Sequence, residues 1–288
     1  MKTLLKSPGA PVVLVERPAP AFSDELVTVQ ILTVGLCRTD LRVASGAIAI
    51  RNPTVLGHEC AGLVLHDPSQ TFAQGSLVAI NPLLPGKEFL GLDCDGVLQD
   101  VIQISAAQLV AAEGVTPRLA AYLEPVAASM AVLNARITKE QKGVIYHANR
   151  ISHLTYVILK SLDFNVEWVQ APPSGKDLNK YDYAIETLFE SDAILAMMHA
   201  LKPGGLLVVK SRQHNPTAII PNLLVAKELT LQAVNYYDFT AAMNWLRDFS
   251  SHVEPLLGQA FPLEQWEAAF EMAGAGDAKK IFIDVTKG

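Results

Sequence analysis

The sequence predicts an α/β protein in which a β-rich, barrel-like N-terminal domain precedes a domain built on a parallel sheet. Two observations support this prediction. Up to residue 125, short runs rich in β-branched residues are separated by proline and glycine, a pattern typical of strands joined by turns. From residue 143 onwards, apolar runs of strand length alternate with segments of helical periodicity, which indicates βαβ units.

The N-terminal part is predicted to contain strands at 11–15, 25–31 and 77–80, followed by one buried helix over 119–135. Five further strands are predicted at 143–146, 166–169, 181–185, 205–209 and 229–234, with helices at 154–162, 191–200 and 240–249 between or after them. A last helix at 263–273 precedes a strand at 280–285. Because 171–180 is too short for a crossover helix and another strand, we expect a parallel sheet of about five strands.

Composition excludes several classes of protein. The chain has 288 residues, of which half are hydrophobic, and a net charge of −6. This length suits two domains, and this apolar content excludes a disordered chain. The acidic balance and the lack of a basic run argue against a nucleic-acid partner. No stretch reaches the roughly 18 apolar residues of a membrane span, and Ser7, Pro8 and Gly9 interrupt any signal peptide.

Three cysteines make an odd count, which does not indicate a disulfide framework and favours a reducing compartment, the cytoplasm.

Two short motifs carry the chemistry. Residues 35–40 read Gly-Leu-Cys-Arg-Thr-Asp and residues 57–62 read Gly-His-Glu-Cys-Ala-Gly. They supply Cys37 and His58, and Glu124 could add a carboxylate. A thiolate, an imidazole and a carboxylate are the ligands that a catalytic zinc ion takes, with a fourth position open to water or substrate.

Together the two motifs resemble those of the zinc-dependent medium-chain dehydrogenase/reductases, the alcohol, sorbitol and threonine dehydrogenase group. Similar stretches continue along the chain at 75–82, 96–101, 123–127, 202–206 and 227–231. The resemblance implies a GroES-like β-barrel domain formed by residues 1–126 and 254–288, and a shortened Rossmann-like domain at 127–253. It also implies a possible homodimer or tetramer.

The resemblance implies one catalytic zinc ion, held by Cys37, His58 and Glu124, with Glu59 as the alternative ligand or a close neighbour of the metal. Zinc acts there as a Lewis acid, lowering the pKa of a bound alcohol so that the alkoxide can expel hydride.

The neighbouring positions have roles by the same resemblance. Thr39 would hold the substrate hydroxyl in a proton relay, and Asp40 would orient His58 through its far ring nitrogen. Arg38 matches a position that reaches cofactor phosphate in some relatives.

The sequence departs from the family in three places. The segment 83–90 is too short to carry the four-cysteine lobe that holds a structural zinc ion, so we expect no second metal. In the segment after 143–146, His147, Asn149 and Ser152 stand where the dinucleotide fingerprint has glycines. Side chains there should crowd the cofactor phosphates, although Ser152 could cap the following helix and Arg150 could hold an anion.

No acid follows Val169 to bind a ribose hydroxyl, which makes binding of NAD or NADP doubtful.

These observations favour a zinc-dependent oxidoreductase acting on a small alcohol, polyol or ketone, with atypical or weak NAD(P) binding. Two alternatives stay open at this point. One is a zinc enzyme without redox chemistry, namely a lyase, hydrolase or isomerase, and the other is a non-catalytic binding protein on the same scaffold. Zinc content and NADH binding distinguish the three.

Overall fold

The computed structural model describes residues 1–146, 149–212, 216–276 and 279–286. Within them the strands are β1 (Lys2–Lys6), β2 (Val12–Glu16), β3 (Val27–Gly35), β4 (Thr54–Val55), β5 (Glu59–His66), β6 (Leu77–Ile80), β7 (Val101–Ile104), β8 (Leu109–Ala111), β9 (Gly143–Tyr146), β10 (Val166–Val169), β11 (Tyr181–Glu186), β12 (Leu201–Val209), β13 (Thr230–Ala233), β14 (Leu257–Pro262) and β15 (Lys280–Asp284). The α-helices are α1 (Arg38–Ala44), α2 (Pro117–Ala121), α3 (Leu123–Met130), α4 (Arg150–Ser161), α5 (Ser191–Ala200), α6 (Pro221–Lys227), α7 (Phe239–Val253) and α8 (Trp266–Ala275).

The chain forms two compact units, one of Met1–Pro125 with Phe239–Gly288 and the other of Val126–Asp238. Helix α7, which the sequence analysis placed in the second domain, lies in the first unit. Its apolar side, with Ala242, Trp245 and Leu246 buried, packs against α2 and β8. The apolar periodicity of the sequence predicts such a helix but not its packing partner. The second unit therefore ends at Asp238 and not at residue 253. None of the described helices combines the length and apolar character that a membrane crossing requires.

The first unit is mainly antiparallel sheet. A three-stranded sheet has the order β2-β1-β4, and a larger one has the order β14-β15-β3-β5-β6-β8, with β7 also paired to β3. Strand β3 is antiparallel to both β5 and β15, and Gly35 at its end lies opposite Glu59 on one side and Phe282 on the other. The end of β3 and the beginnings of β5 and β15 therefore meet at one point.

The second unit is a parallel sheet with the order β10-β9-β11-β12-β13. Helix α4 packs on one face through residues such as Leu159, while α5 and α6 cover the other face. Between β10 and β11 the structure has only a short 3₁₀ turn, Gly175–Asp177. The described part of the unit thus contains the five strands predicted from the shortness of this link.

The predicted helices at 119–135 and 154–162 differ from the structure in ways that matter for the site. The prediction of one buried helix over 119–135 is wrong, because the segment divides into α2, α3 and a 3₁₀ turn at Ala131–Asn134. Pro125 explains the break between α2 and α3, since it has no N–H to donate to the carbonyl of Ala121 and its ring would clash with that carbonyl, so it lies in the first turn of a new helix. The helix predicted from residue 154 begins earlier, at Arg150.

Candidate functional site

The first sequence motif becomes the turn between β3 and α1. Cys37 has extended backbone, with φ −101° and ψ 156°, and is the N-cap residue of the helix. The carboxylate of Asp40 accepts a hydrogen bond from the backbone N–H of Cys37 at 2.8 Å. This contact within a single turn determines where the Cys37 thiol lies relative to the start of the helix.

The second motif is a tight turn between β4 and β5. Gly57 has φ +91°, and a Cβ there would lie 2.9 Å from Cγ and 3.1 Å from the backbone nitrogen of Leu98, so both conformation and space require glycine. The backbone N–H of Gly57 donates to Oδ1 of Asp40 at 3.2 Å, and Nδ1 of His58 lies 3.2 Å from the same oxygen. Asp40 thus joins the two motifs.

Asp40 and His58 are both deeply buried, and this burial affects the pKa of each side chain. Burial by itself lowers the pKa of His58, but the Asp40 carboxylate, with a smaller effect from Cys37, outweighs it and holds the pKa well above its ordinary value. For Asp40, burial raises the pKa, yet His58 outweighs burial and the pKa is lowered. Since Nδ1 of His58 faces Asp40, the other ring nitrogen is the one available to a metal.

Three ligand groups come together here. One atom each from Cys37, His58 and Glu59 lies within 4.8 Å of the other two. The set of thiolate, imidazole and carboxylate suits a zinc ion, and the half-buried Cys37 keeps one side of the cluster accessible. The donor chemistry and spacing of these residues therefore fit the metal that the sequence motifs imply.

Glu59 has a buried partner that the sequence analysis missed. Its Oε2 pairs with Nζ of Lys280, and both side chains are 1% exposed. A Cβ at Gly35 would lie 2.7 Å from both Oε2 of Glu59 and Cε of Lys280, so this glycine leaves the space that the pair occupies. A lysine at the start of the apolar run 281–283 was the one available signal in the sequence.

Glu124 lies near the cluster but outside the group of three. It is buried in the first turn of α3. Burial of Glu59 raises the pKa of that residue, and the negative charge of Glu124 adds to the rise while Lys280 opposes it. The two carboxylates are therefore close enough for their charges to interact.

The remaining residues predicted around the metal are on α1. Oγ1 of Thr39 lies 3.7 Å from Sγ of Cys37 and is half-buried, so the structure brings it to the cluster. Arg38 begins the helix with an exposed side chain, in the first unit. Phe89, which the sequence analysis did not single out, has its ring centre 5.1 Å from that of His58.

The residues predicted to meet a cofactor lie at the start of α4, in the second unit. Asn149 rather than Ser152 is the N-cap of this helix, and Ser152 in the first turn completes the capping box. Oδ1 of Asn149 accepts a hydrogen bond from the N–H of Ser152 at 2.8 Å, and the N–H of Asn149 donates to Oγ of Ser152 at 3.2 Å. Arg150 is buried, and His147 lies outside the described residues.

This start of α4 does not fit the usual mode of dinucleotide binding. A cofactor pyrophosphate needs free backbone N–H groups and open space at the N-terminus of the helix. Here the side chain of Asn149 takes one of those N–H groups and is itself 7% exposed. The space that a phosphate oxygen would need beside Ser152 is therefore occupied by the protein.

Comparisons with known proteins agree with the predicted fold. Residues 23–114 match the model of the alcohol dehydrogenase GroES-like domain. The chain is 22% identical to an L-threonine 3-dehydrogenase of Bacillus licheniformis over an alignment of 343 positions that covers 98% of each protein.

Two solved structures are similar over nearly the whole chain. L-idonate 5-dehydrogenase from Escherichia coli K-12 has a TM-score of 0.88 at 20% identity, covering 99% of this chain and 98% of that one. An alcohol dehydrogenase from Escherichia coli CFT073, solved with NADH, has a TM-score of 0.87 at 18% identity, covering 99% of each chain. These likenesses show a common fold, and the structure from Escherichia coli CFT073 contains NADH.

Proposed function

We propose that the chain, an alcohol dehydrogenase-like oxidoreductase of the zinc-type medium-chain dehydrogenase/reductase family, uses one zinc ion to act on a small alcohol, polyol or ketone. The first unit contains the GroES-like domain and the second is a shortened Rossmann-like sheet. Relatives named for threonine and idonate support a hydroxylated substrate. Neither the non-redox zinc enzyme nor the binding protein is favoured by any of these comparisons.

The single observation that carries the proposal is the cluster of Cys37, His58 and Glu59, whose ligand atoms lie within 4.8 Å of one another. When bound, zinc supplies Lewis acidity that favours the alkoxide form of the substrate. Nδ1 of His58 faces Oδ1 of Asp40 at 3.2 Å, which leaves the other ring nitrogen for the metal. Cys37 supplies the thiolate from the N-cap position of α1.

We assign the third ligand to Glu59 in preference to Glu124, because Glu59 is the carboxylate within reach of both Cys37 and His58. Lys280 engages Oε2 of Glu59 and leaves its second oxygen for the metal. Glu124 then lies beside the centre as a second negative charge, in agreement with its effect on the pKa of Glu59.

Thr39 is positioned to handle the hydroxyl proton of the substrate. Its hydroxyl lies 3.7 Å from Sγ of Cys37, so a substrate oxygen bound beside the thiolate would be near Oγ1. Thr39 can donate and accept at the same time, which lets it take a proton from the substrate and pass one on. Thr39 is thus the group proposed to hold the substrate hydroxyl.

Two further features complete the proposal. All three cysteines are free, which supports a reducing compartment such as the cytoplasm. Assembly as a homodimer or tetramer stays a prediction. A nicotinamide cofactor is the electron carrier that the family uses, and the start of α4 makes its binding by this chain atypical.

Zinc content tests the proposal directly. The wild-type chain, dialysed with zinc and then freed of excess metal, should hold one zinc ion per chain by elemental analysis. Cys37→Ser and His58→Ala should lose it while keeping the fold, because a catalytic zinc ion is held on a pre-formed scaffold. Cys94→Ser is the matched control and should keep the metal, since Cys94 is half-buried and free. A wild-type chain without zinc after this treatment contradicts the proposal.

A further inference from the structure

The N-terminus of α4 lies at the point of the second sheet where ligands of parallel sheets usually bind. The chain passes from β9 to β10 on one side and then to β11 on the other, so the order of strands reverses between β9 and β11. Ligands bind outside the carboxyl ends of the strands at such a point, with anions on the N–H groups of the following helix. Tyr146 ends β9 here, and Thr187 follows β11.

The side chain of Asn149 already forms a hydrogen bond with one of the N–H groups at the N-terminus of α4. The first N–H groups of an α-helix have no partner within the helix and are the groups that bind a phosphate. Oδ1 of Asn149 accepts from one of them, the N–H of Ser152, at 2.8 Å. The amide oxygen therefore stands where an oxygen of the phosphate would otherwise stand.

The amide nitrogen of Asn149 is held by a second hydrogen bond. Its Nδ2 donates to Oγ1 of Thr187 at 2.9 Å, and Oγ1 of Thr187 donates in turn to the carbonyl of Tyr146 at 3.3 Å. Both Asn149 and Thr187 are buried. Turning the amide away would break two hydrogen bonds and leave buried polar groups without partners, which is unfavourable.

Ser152 stabilises the same arrangement from the helix side. It is 0% exposed, and its Oγ accepts hydrogen bonds from the N–H of Asn149 at 3.2 Å and from the indole N–H of Trp168 at 3.3 Å. The Trp168 ring stacks on His153 with 4.7 Å between ring centres. Asn149 is therefore part of a connected network that includes β10 and α4.

From this geometry we infer that Asn149 is the residue that sets the affinity of the chain for a phosphate-bearing cofactor, by occupying the phosphate position at the start of α4. The inference concerns the cofactor of the proposed oxidoreductase and rests on that function. NAD(H) or NADP(H) must displace the Asn149 amide or bind with its pyrophosphate elsewhere, and either route lowers affinity. Removing the amide opens the position.

The test compares the zinc-loaded wild-type chain with Asn149→Gly. Glycine is tolerated as an N-cap residue, and the backbone of Asn149 at φ −124° does not require any particular side chain. NADH is titrated by its fluorescence, and inorganic pyrophosphate by calorimetry. Asn149→Asp is the matched control, because aspartate keeps the cap and adds a negative charge that repels phosphate.

We expect Asn149→Gly to bind both NADH and pyrophosphate at least about tenfold more tightly than wild type, which corresponds to replacing one lost hydrogen bond to a charged group. Asn149→Asp should bind no more tightly than wild type. A folded Asn149→Gly variant with unchanged or weaker affinity for both ligands overturns the inference.

If Asn149→Gly does not fold, Thr187→Val takes its place. This variant keeps the size of the side chain and removes the hydrogen bond to Nδ2 of Asn149. A few-fold gain in NADH affinity supports the inference, and no gain overturns it. All variants should keep wild-type zinc content. An unchanged cofactor affinity would therefore contradict the role of Asn149 without contradicting the proposed metal centre.

Discussion

Oδ1 of Asp40 lies 3.2 Å from Nδ1 of His58, and both side chains are buried. Asp40 comes from the first turn of α1 and His58 from the turn before β5, so this contact links the two segments that carry the candidate zinc ligands. The same carboxylate accepts hydrogen bonds from the backbone of Cys37 and Gly57. The geometry of the candidate metal centre therefore depends on one side chain that does not reach the metal itself.

Asp40→Asn should weaken zinc binding by about tenfold to hundredfold, the usual effect of removing a carboxylate that orients a histidine ligand. The asparagine keeps the size of the side chain but loses the charge that faces His58. Competition with a chelator of known affinity measures the change. Asp24→Asn, at an exposed position in the same unit, is the control. Wild-type zinc affinity in Asp40→Asn would falsify the role given to this residue.

The three thiols should react differently with iodoacetamide at pH 8. Cys37 is half-buried and should react in metal-free protein, while zinc should protect it. Burial and the acidic neighbours Glu88, Asp93 and Asp95 raise the pKa of Cys94 to about 11, so it should react slowly with or without metal. Burial also raises the pKa of Cys60, which should stay unmodified in the folded chain.

Mass spectrometry of the alkylated peptides gives the rate at each of these cysteines. Equal rates at Cys37 with and without zinc would show that this thiol is not a ligand.

In metal-free protein, Lys280→Met should lower the free energy of unfolding by about 3–5 kcal/mol, because it leaves the Glu59 carboxylate buried without its cationic partner. Urea unfolding measures the loss. Lys139→Met, at an exposed position, should change stability little.

The pairing of Glu59 with Lys280 also predicts the stability of a double variant, which urea unfolding measures. Combining Lys280→Met with Glu59→Gln removes the uncompensated charge, so the double variant should be more stable than Lys280→Met alone. Equal or lower stability of the double variant would mean that the two side chains do not act as a pair.

Acid should weaken the second unit through Glu167 on β10. Its carboxylate lies 2.8 Å from Nζ of Lys142 and 3.1 Å from Nζ of Lys180, and it accepts from the hydroxyl of Tyr181 at 2.6 Å. Burial raises the pKa of Glu167, but these hydrogen bonds outweigh burial and lower it from 4.5 to about 2. A lowered acid pKa gives stability that is present above pH 4.5 and is lost as the pH falls towards 2.

Glu167→Gln should therefore reduce stability at pH 7 by at most about 1 kcal/mol, since the partly exposed charges are screened by water. The difference from wild type should shrink between pH 4.5 and pH 2. Urea unfolding at pH 7 and pH 3 measures it, and an equal difference at both pH values would contradict the assignment.

Local sequence determined the parts of the molecule whose interactions are local. Cys37 and Asp40 lie within one helical turn, and Gly57 allows a backbone turn that places His58 beside them, so two short motifs were enough to predict a zinc centre. Strands and helices of the second unit followed from the period of their apolar residues, because that period reflects which side of each element is buried. The short link after β10 predicted the five-stranded sheet for an equally local reason, since few residues cannot make a crossover.

Tertiary structure alone decided which distant groups meet. Lys280 reaches Glu59 only because β15 and β5 pair on opposite sides of β3, a register that depends on packing between segments more than two hundred residues apart. The same packing brought Glu59 rather than Glu124 within reach of both Cys37 and His58. Asn149 caps α4 with its amide held by Thr187, which directly follows β11 in the sheet. A cap or an ion pair depends on the position of its partner in space, and spacing along the chain carries no information about that position.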